Sequence, residues 1–407
     1  MTRPPAPPHP VDDGAPRPSP GPVSGPVPDA GAVAVAAPRS FPAPVAARLS
    51  RVLERFVARR RLHHADVALV DGAGARWSGA VGPADADGPR RPGAPFFVAS
   101  VTKRFVVTLV LQAHERGELD LAAPVVRYLP PETTRGLHVI GGVDRTPAIT
   151  VRHLASHTSG LPDQFEKRPS GPSLFALLAS GRDTAWTFED TLRTTREQGA
   201  HFPPQDLDAR RQKARYSDTG YQLLIRVLES ATGRSFAELL ADRITGPLGL
   251  TSTWLPGHPP ARLAGAAPSP LHARRRRVEL PGMIGSSNDL VSTTDDLLAF
   301  QRALLAGEPF ARPGTTALLT ERANRLGNIP VVRYGLGTMT FRLGRLTGAG
   351  RRPVTLVGHS GATGTWLFHC PELDLHLAGT VDQAGGQALP FHLMAHLLHA
   401  WRTTSLR

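Results

Sequence analysis

Cysteine is nearly absent from this chain, since Cys370 is the single one among 407 residues. One cysteine excludes an intrachain disulfide, and its apolar neighbours favour a packed thiol over a reactive one. Long apolar runs are missing too: no stretch reaches the roughly 18 residues of a membrane-spanning helix. The short run A-G-A-V-A-V-A-A follows a proline-rich segment and not a compact basic region, which is untypical of a secretory signal. We therefore expect a cytoplasmic protein without a membrane partner.

Lysine is also scarce, although the chain has a net charge of +13. The only lysines are Lys103, Lys167 and Lys213, so arginine supplies nearly all the positive charge and is spread along the sequence. This bias, with abundant Ala, Gly and Pro, is typical of GC-rich coding. The one dense run, Arg274 to Arg277, lies between proline-containing stretches and is typical of a solvated loop. We therefore predict no nucleic-acid partner, and the sequence does not indicate an oligomeric state.

The first forty residues differ in composition from the rest of the chain. Twelve of them are proline and few are large and apolar, so residues 1–40 are predicted to form a disordered tail. Residues 41–407 are predicted to form one catalytic domain. Strand-like patterns occur towards both ends of this domain and helical patterns between them. The expected fold is an α/β fold of the α+β type, with a mixed, largely antiparallel sheet built from both chain ends and flanked by helices.

Within that domain, the sheet region is expected over about 41–100 and 281–407, and a helical insertion over about 101–280. Strands are predicted at 66–70, 75–81, 334–342, 354–357, 364–368 and 375–381. Helices are predicted from about Val45 onward, over Val101–Glu115, Tyr221–Ser230 and Phe236–Ile244, and from about Pro390 to Trp401. The helix at Val101 is apolar on nearly all faces, which indicates an interior position.

The stretch F-F-V-A-S-V-T-K places Ser100 at the start of this buried helix and Lys103 one turn later. At this spacing the two side chains lie on one helix face. A serine hydroxyl needs a base to become a nucleophile, and a desolvated lysine amine can be that base, whereas arginine cannot. The helix N-terminus adds free N–H groups beside the reacting oxygen. The alternative to this catalytic interpretation is a structural one, in which Ser100 caps the helix and Lys103 extends its charged end to solvent.

A second serine competes for this role, because T-L-V-G-H-S-G-A-T at 355–363 resembles the turn that presents Ser360 as the nucleophile of a lipase. A lipase-type serine is followed by a helix, an acid and a histidine. Only 47 residues follow Ser360 in the 407-residue chain, and a further strand is predicted directly after it. We therefore predict that Ser360 is not the nucleophile.

A third segment, R-Y-S-D-T-G-Y at 215–221, contributes Tyr216 and Asp218. With S-V-T-K and G-H-S-G-A-T-G, it resembles the motifs of the superfamily of class C β-lactamases, D-alanyl-D-alanine carboxypeptidases and related serine esterases. Those motifs are Ser-x-x-Lys, Tyr-x-Asn and Lys/His-x-Gly, in this order. Accessory segments match as well: I-T-V-R-H-L-A-S-H-T-S-G-L-P-D (149–163), G-P-L-G-L-T-S-T-W (246–254), S-T-T-D-D-L-L-A-F (292–300) and Y-G-L-G (334–337). The resemblance covers roughly residues 45 to 400.

The resemblance implies a role for each matching residue. Ser100 would attack an ester or amide carbonyl and form an acyl-enzyme, while Lys103 and Tyr216 would share the proton. His157, in the H-T-S-G-L segment, would brace a nearby loop.

On the opposite wall of the cleft, His359 and Ser360 would face the substrate and Gly361 would allow a close approach. The backbone N–H of Ala362 would form an oxyanion hole with that of Ser100. No cofactor is implied, and no metal-binding cluster is predicted from the spacing of histidines and acids.

Two departures from the family pattern bear on the substrate. Asp218 stands in place of the family's Asn, which would hold Lys103 as an ammonium, shift basic character toward Tyr216 and repel anionic groups. In addition, His359 stands where the lysine-containing version of the third motif has a permanent positive charge. We therefore expect a serine acyl-transfer enzyme that takes an ester or amide of a small molecule and passes the acyl group to water or to an amine or alcohol. This would be an esterase, amidase or transacylase, as in natural-product pathways. The alternatives are a D-alanyl-D-alanine carboxypeptidase or β-lactamase, and a catalytically silent relative that binds a ligand.

Overall fold

The computed structural model describes residues 39–82, 92–166, 170–263, 267–344 and 352–405. The predicted N-terminal tail therefore lies almost wholly outside the described residues. Eleven α-helices are described: α1 Ala43–Arg60, α2 Thr102–Glu115, α3 Pro131–Thr134, α4 Val151–Ala155, α5 Leu174–Ser180, α6 Phe188–Gln198, α7 Asp218–Thr232, α8 Phe236–Leu240, α9 Pro281–Ser287, α10 Thr294–Ala306 and α11 Leu389–Ser405. Helix α8 continues into a π-helical turn at Ala241–Thr245. No helix among the described residues combines the length and apolar character needed to cross a membrane.

Fourteen strands are described alongside these helices. They are β1 Ala65–Asp71, β2 Arg76–Val81, β3 Phe96–Phe97, β4 Val139–Ile140, β5 Val143–Asp144, β6 Leu271–Ala273, β7 Arg276–Val278, β8 Val291–Ser292, β9 Asn324–Arg325, β10 Arg333–Tyr334, β11 Met339–Leu343, β12 Val354–Ser360, β13 Thr365–Cys370 and β14 Leu375–Thr380. Eight of them form the main sheet, in the order β2-β1-β14-β13-β12-β11-β10-β9.

The main sheet joins the two ends of the domain, as predicted. Strand β1 pairs with β14 near the C-terminus, with Asp66 opposite Thr380, and it also pairs with β2 in a hairpin. Every pairing between neighbouring strands of this sheet is antiparallel. The chain leaves this sheet after β2 and returns to it at β9, so the helical segment lies between its first two strands and the other six. The predicted fold class is confirmed.

Each face of the sheet is covered by a different set of helices. Successive side chains of a strand point to opposite faces, so Val67 and Leu69 of β1 belong to one hydrophobic cluster, whereas Ala68 and Val70 belong to another. The first cluster contains the buried faces of α1 and α11. The second contains α2, α7 and α10, and α2 is buried along nearly its whole length. The interior position predicted for that helix is confirmed.

The predicted strand at 334–342 is in fact two strands, β10 and β11. Between them, the N–H of Gly335 donates to the carbonyl of Thr338, at 2.9 Å, and Gly337 has a φ of 55°. A Cβ on Gly337 would lie 2.8 Å from the Cβ of Val107 and 2.9 Å from the carbonyl oxygen of Lys103. The chain turns here because it passes directly against α2, where a side chain would not fit. The turn between β10 and β11 therefore lies against the helix that carries Lys103.

Candidate active site

Ser100 lies in a short 3-10 turn, Ala99–Val101, that leads directly into α2. Ala99 has a φ of 48°, a left-handed conformation that costs an alanine free energy. The turn is held from both sides: the N–H of Val98 donates to the carbonyl of Leu290, at 2.9 Å, and the hydroxyl of Thr365 donates to the carbonyl of Val98, at 2.8 Å. The surrounding sheet therefore maintains the strained geometry that presents Ser100 to the cleft.

Lys103 connects Ser100 to Asp218. Its Nζ lies 3.1 Å from the Oγ of Ser100 and makes a short ion pair with the carboxylate of Asp218. Burial alone would lower the pKa of Lys103, but the attraction of Asp218, Tyr216 and Asp289 outweighs it, and the pKa lies well above its ordinary value. The resting site therefore holds an ammonium ion at Lys103, as the sequence predicts from the carboxylate at position 218.

Tyr216 lies beside this pair, with the centre of its buried ring 5.2 Å from the Nζ of Lys103. Burial raises the pKa of Tyr216, and Asp218 raises it further because a carboxylate repels a phenolate. The prediction that Asp218 shifts basic character toward Tyr216 is therefore wrong. The same negative charge stabilises the protonated form of both neighbours, so Tyr216 is a phenol in the resting site.

His157 braces the loop that carries Tyr216. The N–H of Ser217 donates to the Nδ1 of His157, at 3.2 Å, and the N–H of Arg215 donates to the carbonyl of His157, at 2.9 Å. Its ring also packs against the ring of Tyr216, with the two centres 4.4 Å apart. Burial holds the pKa of His157 well below its usual range, so the ring is neutral. These contacts match the bracing role that the sequence suggests.

The opposite wall is formed by the end of β12 and the turn after it. Ser360, Gly361 and Ala362 line the same cavity as Ser100. A Cβ on Gly361 would lie 2.7 Å from the carbonyl oxygen of Val98, so only glycine lets the strand end pass this close to the 3-10 turn. The hydroxyl of Ser360 contacts the sulfur of Met339, at 3.7 Å, and β13 follows, as predicted. Ser360 therefore lacks the setting of a lipase nucleophile, which a helix would follow.

His359 does not reach the cavity, contrary to the prediction that it faces the substrate. It is fully buried, its Nε2 lies 2.9 Å from the hydroxyl of Tyr334, and its Nδ1 lies 2.8 Å from the carbonyl oxygen of Ser360. Neighbouring residues on a strand point to opposite faces, so Ser360 and His359 cannot both face the cleft. Burial and the charge of Lys103 hold the pKa of His359 well below its usual range. Position 359 therefore supplies no cation to the substrate.

The cavity beside Ser100 has a volume of about 440 Å³. Its lining includes large apolar side chains, among them Phe97, Phe165, Phe175, Leu178, Trp186 and Met283. The lining also includes the carboxylates Asp163, Glu166, Asp218 and Asp289. Of these four acids, Asp218 alone is predicted from the sequence. Asp163 ends the accessory segment H-T-S-G-L-P-D, and Asp289 lies three residues before S-T-T, so both positions adjoin segments that carried the resemblance.

A group of metal-binding side chains lies elsewhere on the sheet, at His369, Asp374 and His376. One ligand atom of each lies within 4.8 Å of the others. The two histidines are direct partners across β13 and β14, near the turn that joins these strands. Strand pairing brings the three together, and this group is absent from the sequence prediction because residue spacing alone does not show it. None of the three lines the cavity beside Ser100.

Comparison with known proteins agrees with this geometry. The family model for Beta-lactamase matches residues 49–399, which is most of the chain. The chain belongs to the Beta-lactamase family. Members of this β-lactamase-like superfamily are serine hydrolases, and the sequence resemblance is therefore confirmed.

Several relatives in the Beta-lactamase family show how the match is distributed. The D-alanyl-D-alanine-carboxypeptidase/endopeptidase AmpH of Escherichia coli K12 is 25% identical over 224 residues, covering 53% of this chain and 50% of the relative. Esterase EstB of Burkholderia gladioli is 30% identical over 229 residues, covering 54% of each. The chain thus spans about half the length of the curated relatives it matches. A D-stereospecific amidohydrolase from Streptomyces sp. matches in structure with a TM-score of 0.65 and 26% identity, covering 86% of this chain and 98% of that one.

Proposed function

We propose that this protein forms an acyl-enzyme on Ser100 from an ester or amide of a small molecule, and passes the acyl group to water or to an amine or alcohol. The observation that carries the proposal is the 3.1 Å contact between the Oγ of Ser100 and the Nζ of Lys103, in a cavity that Tyr216 also lines. A half-buried hydroxyl in contact with a buried amine can lose its proton without help from solvent. The relatives named above include a carboxypeptidase, an esterase and an amidohydrolase, and all three names fit acyl transfer.

The raised pKa of Tyr216 supports its role as the acid, whereas Lys103 must first lose a proton that Asp218 favours before it can be the base. Once Lys103 has lost its proton, its amine accepts the proton of Ser100 while the Oγ bonds to the substrate carbonyl carbon. The backbone N–H groups of Ser100 and Ala362 would stabilise the oxyanion. Tyr216, held as a phenol, would donate its proton to the leaving nitrogen or oxygen as the bond to the carbonyl carbon breaks. The proton on Lys103 then returns to Tyr216, which restores the phenol.

Covalent labelling tests the nucleophile. A fluorophosphonate should modify the protein once, on the peptide that contains Ser100, as measured by mass spectrometry. Ser100→Ala should abolish the label, and Ser360→Ala should retain at least part of it, because the hydroxyl of Ser360 contacts a thioether and not a base. A label on Ser360, or the absence of any label on a folded protein, would overturn the proposal. The second result would favour a catalytically silent relative.

The carboxypeptidase and β-lactamase alternatives require a site for a substrate carboxylate. Lys103 is the only cation among the described residues that line the cavity, and Asp218 already neutralises it. His359, which is buried and held neutral by its surroundings, adds no charge to that wall. These observations favour an uncharged or cationic ester or amide over an anionic one. Product analysis with increasing amine then separates hydrolysis from transfer.

A further inference from the structure

The charge of the cavity is opposite to the charge of the chain. The whole sequence contains 47 basic and 34 acidic residues, a net charge of +13. The described residues that line the cavity include four acids, Asp163, Glu166, Asp218 and Asp289, but only one base, Lys103. Coding bias toward arginine would have produced the reverse. The local excess of carboxylates is therefore not explained by the composition of the chain.

Two of these four acids are already neutralised. Asp218 forms an ion pair with Lys103. Glu166 forms an ion pair with Arg215 and also accepts a hydrogen bond from the side chain of Asn328, at 2.7 Å. Asp163 and Asp289 remain as the acids of the cavity lining that no ion pair compensates in the described part of the chain.

Neither of these two acids has its own cation among the described residues. One oxygen of Asp163 accepts a hydrogen bond from the N–H of Phe165, at 2.9 Å, and the other is buried with no hydrogen-bond partner in the described part of the chain. Asp289 interacts with the hydroxyls of Thr102 and Ser287, which are neutral donors. A buried carboxylate without a cation is costly, and a bound cation would remove that cost.

The pKa directions agree with this picture. Burial raises the pKa of Asp289 to about 7, and Asp218 contributes to the same direction. Burial also raises the pKa of Asp163 well above its usual range, again with Asp218 as a neighbour. Asp289 is the more accessible of the two acids, since Asp163 is only 1% exposed. Asp289 is thus suited to direct contact with a ligand. The raised pKa of Asp163 keeps this acid protonated until a bound cation favours its charged form.

The rest of the cavity is apolar and suits a large side group. The ring of Phe165 packs against the rings of Phe175 and Trp186, with the centres 5.4 Å apart in both pairs, and Leu178 and Met283 line the same region. Phe165 is two residues from Asp163, so the aromatic cluster and the free carboxylate adjoin each other. A ligand with an ammonium group near a bulky apolar group matches both features.

We propose that the acyl donor carries an ammonium group, bound by Asp289 with Asp163 behind it, and a large apolar group on the aromatic cluster. The substrate class is then the esters and amides of amino acids with large apolar side chains, with the amino group free. This inference rests on the proposed function, because it names the donor for the same Ser100 site. It adds the prediction that blocking or deleting the amino group of the donor lowers its kcat/KM.

The test compares three donors that differ only at the amino group. Phenylalanine 4-nitroanilide, its N-acetyl form and 3-phenylpropionyl 4-nitroanilide are assayed at about pH 7, where an α-amino group is mostly protonated. Both enantiomers are used for the two amino-acid compounds. For the better enantiomer, kcat/KM of the free amine should exceed that of the deamino compound at least about tenfold, the size of a charge-assisted hydrogen bond.

Variants then assign the preference to residues. Asp289→Asn keeps the shape and an acceptor oxygen but removes the charge, so it should cut the ratio of free amine to deamino compound to below about threefold, since most of the charge-assisted contact is lost. Asp163→Asn should lower that ratio less. The ratio of the two kcat/KM values is the readout for the following reason. A variant that disturbs Lys103 changes the reactivity of Ser100 toward both donors equally, and that change cancels in the ratio. Asp208→Asn makes the same change at an exposed position outside the cavity and should leave the ratio as it is.

Two failures are distinguishable. If a fluorophosphonate labels Ser100 but the deamino or N-acetyl donor is turned over as well as the free amine, the ammonium site is wrong and the proposed function stands. The ammonium site is equally wrong if Asp289→Asn and Asp208→Asn give equal ratios in folded proteins. If nothing labels Ser100, the proposed function itself fails.

Discussion

At the scale of single residues, Asp218 determines the protonation of the site. The carboxylate contacts Lys103 directly and lies close enough to Tyr216 to raise the pKa of its phenol. A lysine held as an ammonium is a poor base, so in the proposed mechanism deprotonation of Lys103 would limit how readily Ser100 reacts. In that mechanism the aspartate would set the pH range of acylation through Lys103.

This gives a prediction for Asp218→Asn. The substitution removes the attraction that raises the pKa of Lys103, while burial, which lowers it, remains. The rise in labelling rate with pH should then occur about 1 to 3 pH units lower than in the unchanged protein, the range expected for loss of an adjacent opposite charge. The measurement is the rate of fluorophosphonate labelling of Ser100 as a function of pH. Lys103→Arg should lower the rate by about 10² or more at every pH, because arginine does not act as a base.

Asp208→Asn is the control for this experiment and should leave the pH profile in place, since Asp208 is exposed and outside the cavity. An Asp218→Asn profile that coincides with that of the unchanged protein would show that Lys103 is not the group whose ionisation controls acylation.

At the scale of elements, strand β1 carries a buried acid that opposes stability at high pH. Asp66 is fully buried, and one of its oxygens accepts a hydrogen bond from the N–H of Gly93, at 2.8 Å. Burial raises the pKa of Asp66 to about 7, and the bond from Gly93 offsets only part of this. The folded protein therefore binds this proton more tightly than the unfolded chain, in which an aspartate has a pKa of about 3.9. Stability at this site is greatest below about pH 4 and is lost as the pH rises toward 7.

Asp66→Asn should remove this pH dependence. The amide oxygen can keep the bond to Gly93, so the variant should be more stable than the unchanged protein at pH 8, by about 1 to 4 kcal/mol. Below about pH 4 the advantage should disappear, because both side chains are then neutral. Denaturant unfolding at a series of pH values measures it. If the variant and the unchanged protein differed in free energy of unfolding by the same amount at pH 8 and at pH 4, the cause would be packing and not the titration of Asp66.

At the scale of the whole molecule, the residues just before α1 belong to the folded domain. The N–H of Arg76 donates to the carbonyl of Arg39, at 2.8 Å, and the N–H of Phe41 donates to the carbonyl of Arg76, at 2.9 Å. The ring of Phe41 packs against that of Trp401, with the centres 4.4 Å apart. This segment therefore ties the beginning of the domain to β2 and to its last helix.

A truncated chain that begins at Pro38 should label on Ser100 at the rate of the full chain, because the proline-rich composition before it lacks core-forming side chains. A chain that begins at Ala43 should be less stable by about 1 kcal/mol or more, since it loses the buried ring of Phe41. Labelling kinetics and thermal unfolding of the two chains measure this. Loss of labelling in a well-folded chain from Pro38 would show that the first residues contribute to the site.

Local patterns in the sequence determined the elements and the candidate reacting residues. Periodicity located the interior helix α2 and the terminal strands, and motif spacing identified Ser100, Lys103 and Tyr216, because these signals extend over only a few residues. The register of β12 also follows from a local rule, alternation, which puts His359 behind the cleft when Ser360 faces it. These features can be predicted from the sequence because each depends only on residues that are close together in the chain.

Only the tertiary structure decided the electrostatics of the site. Asp163, Asp218 and Asp289 come from three distant segments and act on one lysine, so their combined charge is visible only after folding. The sequence assigned Asp218 an effect on Tyr216 of the wrong direction, because only the fold shows that the carboxylate lies close enough to act on the phenol directly and not just through Lys103. A pKa depends on desolvation and on every charge within a few ångströms. The sequence therefore determines which groups can react, and the fold determines in which protonation state they meet the substrate.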